Sequence, residues 1–444
     1  MKLLPDSRKF IGSLGLLLLL NLVIKPVWVL GIDRQVQNIT GYEVYGQYFG
    51  LFSLALVFQF LMDLGITAFV NRSIAVDPSK GPALLSQAIS MKFVLSLLYI
   101  LVVLTIAWFT NAYTAPLLWL LILLQVLSGF QMVLRAYLSS SQLFVQDAWV
   151  SVTDKLFVII VIGAILWLPG TGAAISINRF VLIQISGLVL SMALAIFFLF
   201  QRQVQWNIRP WKYFSWGILR ESLPFAVNIF FMTVLMRADG FLIERMAPGG
   251  AYDAGTYAAA FRLNDAVNMV GYIMAGFLLP YISRQWPQEK QVKDVIDICR
   301  PLLMIPSVLL AVAAPFISGW INTVLYHGRE AGTSALIKIL FLCLPAYVII
   351  QIHGTLLTAT GYIRDFLKLS FLFALILVIA DLFIIPRYGI NGAAWVSVWI
   401  QTGYAATVLV VSGLRTRIWP GRKEVFMYFG IAVAAFLVFK YLFL

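Results

Sequence analysis

Long apolar runs recur along the whole chain, separated by short polar connections. Runs long enough to cross a hydrocarbon core of about 30 Å fall near 10–30, 47–69, 84–108, 115–140, 152–168, 174–200, 223–243, 257–281, 300–323, 335–358, 366–385, 393–414 and 425–444. None shows the ten-residue alternation of a membrane barrel. No water reaches the core to satisfy open backbone groups, so each run is predicted to be a helix. The expected fold is an all-α polytopic membrane protein of about thirteen transmembrane helices. The longest connections, about 201–222 and 282–299, are too short to fold as domains, so any recognition must occur in the membrane or at its surface.

An internal repeat divides the chain after the sixth run. Gly46-Gln47-Tyr48-Phe49-Gly50-Leu51-Phe52 opens the second helix and Gly255-Thr256-Tyr257-Ala258-Ala259-Ala260-Phe261 the eighth, and both fit GxYxxxF. Pro169-Gly170-Thr171-Gly172-Ala173-Ala174 opens the sixth and Pro386-Arg387-Tyr388-Gly389-Ile390-Asn391-Gly392-Ala393-Ala394 the twelfth. Six helices per unit make the two units parallel repeats, as in several transporter folds. The expected division is an N-terminal bundle over 1–205, an amphipathic linker over 206–222, a second bundle over 223–414 and an additional helix over 415–444. Two bundles facing a central cavity are inferred.

Composition agrees with this pattern. Of 444 residues, 61% are hydrophobic and 11% charged, against roughly 45–50% and 25% in soluble domains, so a soluble fold is excluded. The net charge of +13 does not signify nucleic acid, because the basic residues stand singly between apolar runs. Cys299 and Cys343 form no disulfide framework or metal spacing. Residues 1–9 carry Lys2, Arg8 and Lys9 ahead of the first run, whose length and lack of a small-x-small cleavage site suit a retained helix. With the N-terminus in the cytoplasm, 19 of the 32 cations fall on inside connections and 6 outside, as the positive-inside rule requires. The connection 141–151 alone among the inside ones has no cation. Trp206, Trp211 and Trp216 among Arg202, Arg209, Lys212 and Arg220 read as an interfacial stretch on an anionic leaflet.

Charges within spans carry the candidate chemistry, since each is costly at mid-membrane. The cations are Lys25, Lys92, Arg135, Lys155, Arg237, Arg262 and Lys338; the acids are Asp63, Asp154, Asp239, Asp265 and Asp381. A cationic excess suits an anionic substrate, held by successive Lys and Arg contacts. Snorkelling is the plainer reading for Arg135, Lys155, Arg262 and Lys338, near span ends. Arg262 and Asp265 share a helix face and are expected to neutralise each other. Asp63 either pairs with Lys92 or carries a coupling proton. His353 is either a packing residue or a titrating group. Pro26, Pro224, Pro280, Pro306, Pro315 and Pro345 mark possible kinks. No phosphate loop, GxSxG or HExxH is present, so neither a catalytic residue nor a metal or cofactor is expected.

Tyr45-Gly46-Gln47-Tyr48, Asp63-Leu64-Gly65 with Asn71-Arg72, Arg237-Ala238-Asp239, Gly255 to Arg262, and Pro386 to Ala394 together resemble the bacterial polysaccharide flippase family, the O-antigen and oligosaccharide-unit translocases of the superfamily that also holds multidrug extruders and lipid II flippases. The resemblance runs from residue 10 to about 414. It implies two six-helix bundles, alternating access, and movement of an undecaprenyl-diphosphate-linked oligosaccharide from the cytoplasmic to the periplasmic leaflet of the bacterial inner membrane. It further implies that Lys25, Lys92, Arg237 and Arg262 meet the diphosphate. Asn21, Gln59, Gln125, Asn228, Asn268 and Gln351 are available to the glycan, and Asp63 and Asp239 to a coupling ion. Expected partners are the lipid-linked oligosaccharide, membrane lipids and other polysaccharide-assembly proteins. Thirteen helices depart from the family's usual twelve or fourteen. The alternatives are an ion-coupled multidrug exporter, a lipid II flippase, or a membrane glycosyltransferase or polymerase, which the short connections oppose.

Overall fold

A computed structural model describes residues 26–111, 116–167, 175–204, 215–286, 288–328 and 330–443, with isolated positions 20, 23, 24 and 207. Every regular element among them is a helix. A π-helical turn, Val27–Asp33, leads into α1 (Arg34–Thr40), and α2 (Tyr42–Val57), α3 (Phe60–Asp63) and α4 (Ile66–Val76) follow. Then come α5 (Gly81–Phe109), α6 (Pro116–Ser140), α7 (Phe144–Trp167), α8 (Ile177–Gln201), α9 (Trp216–Met246), α10 (Gly250–Gln285) and α11 (Glu289–Tyr326). Last are α12 (Ala331–Leu340), α13 (Leu344–Ala359), α14 (Ile363–Thr416) and α15 (Arg422–Phe443). Ten helices among the described residues are long and apolar enough to cross a membrane. Most of the first expected run lies outside the described residues. The connection expected over 282–299 is largely helical, because α10 runs on to Gln285 and α11 already begins at Glu289. Likewise α7 begins at Phe144, within the expected 141–151 connection.

The chain forms two compact units, Met1–Gly41 with Leu51–Phe230, and Tyr42–Gly50 with Phe231–Leu444. The first has a core of Ile66, Val70, Ile74, Leu85, Met91, Leu134 and Leu138. In the second, Leu278, Ile282, Ile296, Leu303, Ile352 and Leu356 pack together. Large apolar side chains such as Leu101, Phe109, Phe200 and Trp399 are exposed, the reverse of a water-soluble surface and the arrangement a lipid solvent favours. Cys299 and Cys343 are buried free thiols.

Two departures from uniform helix position the polar groups. The second run is expected as one helix over 47–69, yet it breaks after Asp63, where Leu64 (φ 38°) and Gly65 (φ 82°) are left-handed. Asp63 Oδ1 accepts hydrogen bonds from the hydroxyl and backbone N–H of Thr67 and so satisfies a donor in the first turn of α4, whose N-cap is Gly65. At 54 residues, α14 would be about 80 Å long if straight, far more than one crossing needs. It turns back at Gly389 (φ 58°, ψ −148°), a conformation open essentially to glycine alone. Its legs run antiparallel: Arg415 Nε donates to Asp365, the Ser370 and Tyr404 hydroxyls are 2.7 Å apart, and Gly403 abuts Phe373. The two expected helices 366–385 and 393–414 are these legs. α15 is held to α11 by Arg300 and Glu424.

The two GxYxxxF copies meet within the second unit. A Cβ on Gly46 would collide with the backbone of Ala251 and Gly255, and one on Gly255 with the backbone of Tyr42. The helices therefore cross backbone to backbone at the repeated glycine. Phe49 and Phe261 approach with centroids 6.0 Å apart, and Tyr42 lies 5.7 Å from Tyr252. The sequence repeat thus marks a packing site. Its companion at 169–174 lies outside the described residues.

Candidate functional site

The polar residues gather into one cluster per unit. In the first, the break after Asp63 brings a carboxylate to Lys92 on α5. The ammonium donates to Asp63 Oδ1 at 2.7 Å and to the Gly129 carbonyl of α6 at 2.9 Å. Lys92 has no exposed side-chain surface, whereas Asp63 keeps 22%. One lysine therefore ties three helix segments at the break. Gln59, just before α3, donates to Ser128 at 3.5 Å.

In the second unit, Arg237 and Asp239 on α9 point into different surroundings. Arg237 Nη2 donates to Asp265 Oδ2 at 2.7 Å, and its guanidinium lies 5.1 Å from the centroid of Phe261. The pair stays reachable, with 19% and 35% of the side chains exposed. Asp265, expected to be neutralised by Arg262, is thus held by Arg237 from a helix 28 residues away. Arg262 is buried with its guanidinium 4.5 Å from the Tyr45 ring centroid. The three fixed residues of the motif have distinct places: Gly255 at the crossing point, Tyr257 as donor to Asp239 and the Phe261 ring beside Arg237.

Asp239 is buried. Its Oδ2 accepts from Tyr257 at 2.6 Å and from Ser397 at 2.5 Å. Asp381, on the first leg of α14, faces it. Both Asp381 oxygens and Asp239 Oδ1 are buried without a donor from the other described residues. The sequence marks Asp381 only as an acid within a span; its partner is 142 positions earlier, and no local pattern signals Ser397. On α10, Asn268 accepts from Gln351 Nε2, and Asn264 donates to the Tyr347 hydroxyl at 3.5 Å.

The remaining candidates are scattered. Lys25 and Asn21 lie outside the described residues. Asn228 and Gln125 are buried. Arg135 pairs with Asp147 at 2.8 Å. Lys155 pairs with Asp154 at 3.2 Å and lies over Trp28, and Lys338 stands in the last turn of α12. His353 is buried with Nδ1 2.6 Å from the Ser412 hydroxyl, a packing arrangement. No group of three or more metal-ligating side chains occurs among the described residues.

An all-helical membrane fold of this kind is found in transporters of the MOP superfamily. An inward-facing multidrug resistance MATE family transporter matches with a TM-score of 0.63 and 14% identity, over 90% of this chain and 94% of its own. An outward-facing one matches at 0.64 and 14%, over 92% and 96%. A MOP superfamily transporter from Pyrococcus furiosus, described by a reversed polarity of its binding pocket that suggests a different function, matches at 0.66 and 14%, over 92% and 96%. At such identity the likeness concerns fold. No curated protein sequence matches. The family described as polysaccharide biosynthesis protein matches residues 30–286, and the chain belongs to that family.

Proposed function

We propose that the protein moves an undecaprenyl-diphosphate-linked oligosaccharide from the cytoplasmic to the periplasmic leaflet of a bacterial inner membrane by alternating access, with its N-terminus in the cytoplasm. The observation that carries this reading is the accessible Arg237–Asp265 pair in a chain of the polysaccharide biosynthesis family. A guanidinium presents a planar fork suited to phosphate oxygens. Asp265 keeps that charge paired while no substrate is bound, and an arriving diphosphate exchanges one anion for another, which avoids stranding a charge in a low-dielectric site. Asn264 and Asn268 on the helix of Asp265, with Tyr347 and Gln351 on α13, pair with one another and in this reading exchange those bonds for sugar hydroxyls. Lys92, fully enclosed, acts in this reading by positioning the break after Asp63 rather than by touching substrate. Arg237→Ala is expected to lower surface polysaccharide at least tenfold at unchanged protein level, and Asp265→Asn, which leaves the cation, to preserve it. Normal export by Arg237→Ala removes the proposal. A deletion strain with drug sensitivity and normal surface glycan favours a multidrug exporter instead.

Coupling falls to Asp239 in this reading. Two carboxyl groups facing each other away from water repel strongly unless one positive charge, a proton or a small cation, is held with them. Asp381→Asn removes that requirement while keeping an oxygen ligand. In proteoliposomes, it is expected to make transport insensitive to an imposed proton or sodium gradient that drives the wild type. Gradient-driven transport unchanged by Asp381→Asn and by Asp239→Asn excludes the pair from coupling.

A further inference from the structure

The hairpin of α14 has a cleft at each end, and the two differ in chemistry. Near Gly389 a crease of about 530 Å³ is lined by Ile384, Tyr388, Asn391, Trp395 and Trp399, with no charged side chain in its lining. At the opposite end, where the hairpin begins and finishes, a cleft of about 380 Å³ is lined by Asp365, Lys368, Leu369, Val411, Leu414 and Arg415. Its lining combines three aliphatic side chains with two cations and one carboxylate.

The charges in this cleft do not cancel. Asp365 accepts from Arg415 Nε at 2.8 Å, which leaves the terminal nitrogens of the guanidinium available. The guanidinium also lies 5.4 Å from the Tyr362 ring centroid, so its position is set from two sides. Lys368 is exposed and has no carboxylate within ion-pair distance among the described residues. Arg364 and Arg417, also exposed, stand at the same end of the hairpin. Leu414 is 70% exposed, an apolar side chain open at the mouth of the cleft.

We infer that this cleft holds an anionic phospholipid, its phosphate between Lys368 and Arg415 and one acyl chain along Leu369, Val411 and Leu414. Cations and aliphatic side chains lining one cleft at a helix end match the amphiphile on both counts, and basic pockets between membrane helices select negatively charged headgroups. A zwitterionic headgroup brings its own cation toward Lys368 and loses most of the attraction. Bound lipid adds to the contacts that already join the two legs near this end, the Arg415–Asp365 pair, the Ser370–Tyr404 contact and the Phe366–Tyr404 ring stack. The inference is independent of the transported substrate.

The test uses the full-length protein in nanodiscs with a photoreactive benzoylphenylalanine at position 414, in equal mixtures of phosphatidylglycerol and phosphatidylcholine. Crosslinked lipid is identified by mass spectrometry. Phosphatidylglycerol is expected to be captured at least fivefold over phosphatidylcholine, and Lys368→Glu to bring that ratio within twofold of one. Lys368→Glu leaves the Arg415–Asp365 pair in place, and an unchanged unfolding temperature in detergent verifies its fold. Trp399→Ala, in the uncharged crease, is expected to leave the ratio at 414 unaltered. Equal capture of the two lipids by the parent protein overturns the inference, as does a preference that survives Lys368→Glu.

Discussion

Lys92→Ala is expected to destabilise the protein by about 3–5 kcal/mol, the range for breaking a buried ion pair by removing one partner. The ammonium is fully enclosed and donates to Asp63 and to the Gly129 carbonyl. Alanine leaves a carboxylate without its cation and a void in a closely packed region, while the Gly129 carbonyl loses only the second of its donors, its helical one remaining. Asp63 also accepts from Thr67 in the first turn of α4, so its local role persists in the variant while its charge is uncompensated. Lys92→Met with Asp63→Asn removes both charges, keeps the volume and retains an oxygen for Thr67. The pair of substitutions is expected to recover most of the loss, because desolvation of the two ions disappears with their attraction. Thermal unfolding in detergent, arranged as a double-mutant cycle, measures both effects. The same double variant separates positioning from contact with substrate: retained export means that the lysine acts through the helix break. Export lost in a protein of normal stability shows instead that the ammonium meets the substrate.

Gly255→Val is expected to cost about 3 kcal/mol, the upper part of the usual range for overpacking. The atoms a side chain meets here are the carbonyl and Cα of Tyr42, and backbone has no rotamer with which to move aside. The helices must separate, with loss of the Phe49–Phe261 and Tyr42–Tyr252 contacts. Gly276→Ala, on the same helix α10 with nothing within 4 Å of the added carbon, is the matching control. It is expected to be neutral or to gain up to about 1 kcal/mol through helix propensity alone. Equal unfolding temperatures for Gly255→Val and the parent refute the close crossing.

The hydropathy pattern determined where helices lie, because a segment in lipid must satisfy its own backbone hydrogen bonds and apolar length is a local property of the chain. The repeat of GxYxxxF was visible for the same reason, as a recurrence of residues at a spacing. Its meaning was not visible: that Gly46 and Gly255 touch depends on a helix crossing between segments some 200 positions apart. Over 47–69 the apolar residues on either side of Asp63 continue the run, so hydropathy does not show the break that Leu64 and Gly65 make there. Acids and bases within spans can be enumerated from the chain alone, and pairing with Lys92 is one of the two roles that level leaves open for Asp63, the other being a coupling proton. The other pairings were set by packing. Asp265 stands three residues from Arg262 on one helix face, but the guanidinium that reaches it comes from α9; Asp239 finds Asp381 and Ser397 on a hairpin whose fold depends on Gly389. Local spacing orders neighbours around one helix. Which charges meet across helices is decided by crossing geometry, and in a low-dielectric interior those meetings dominate the electrostatics.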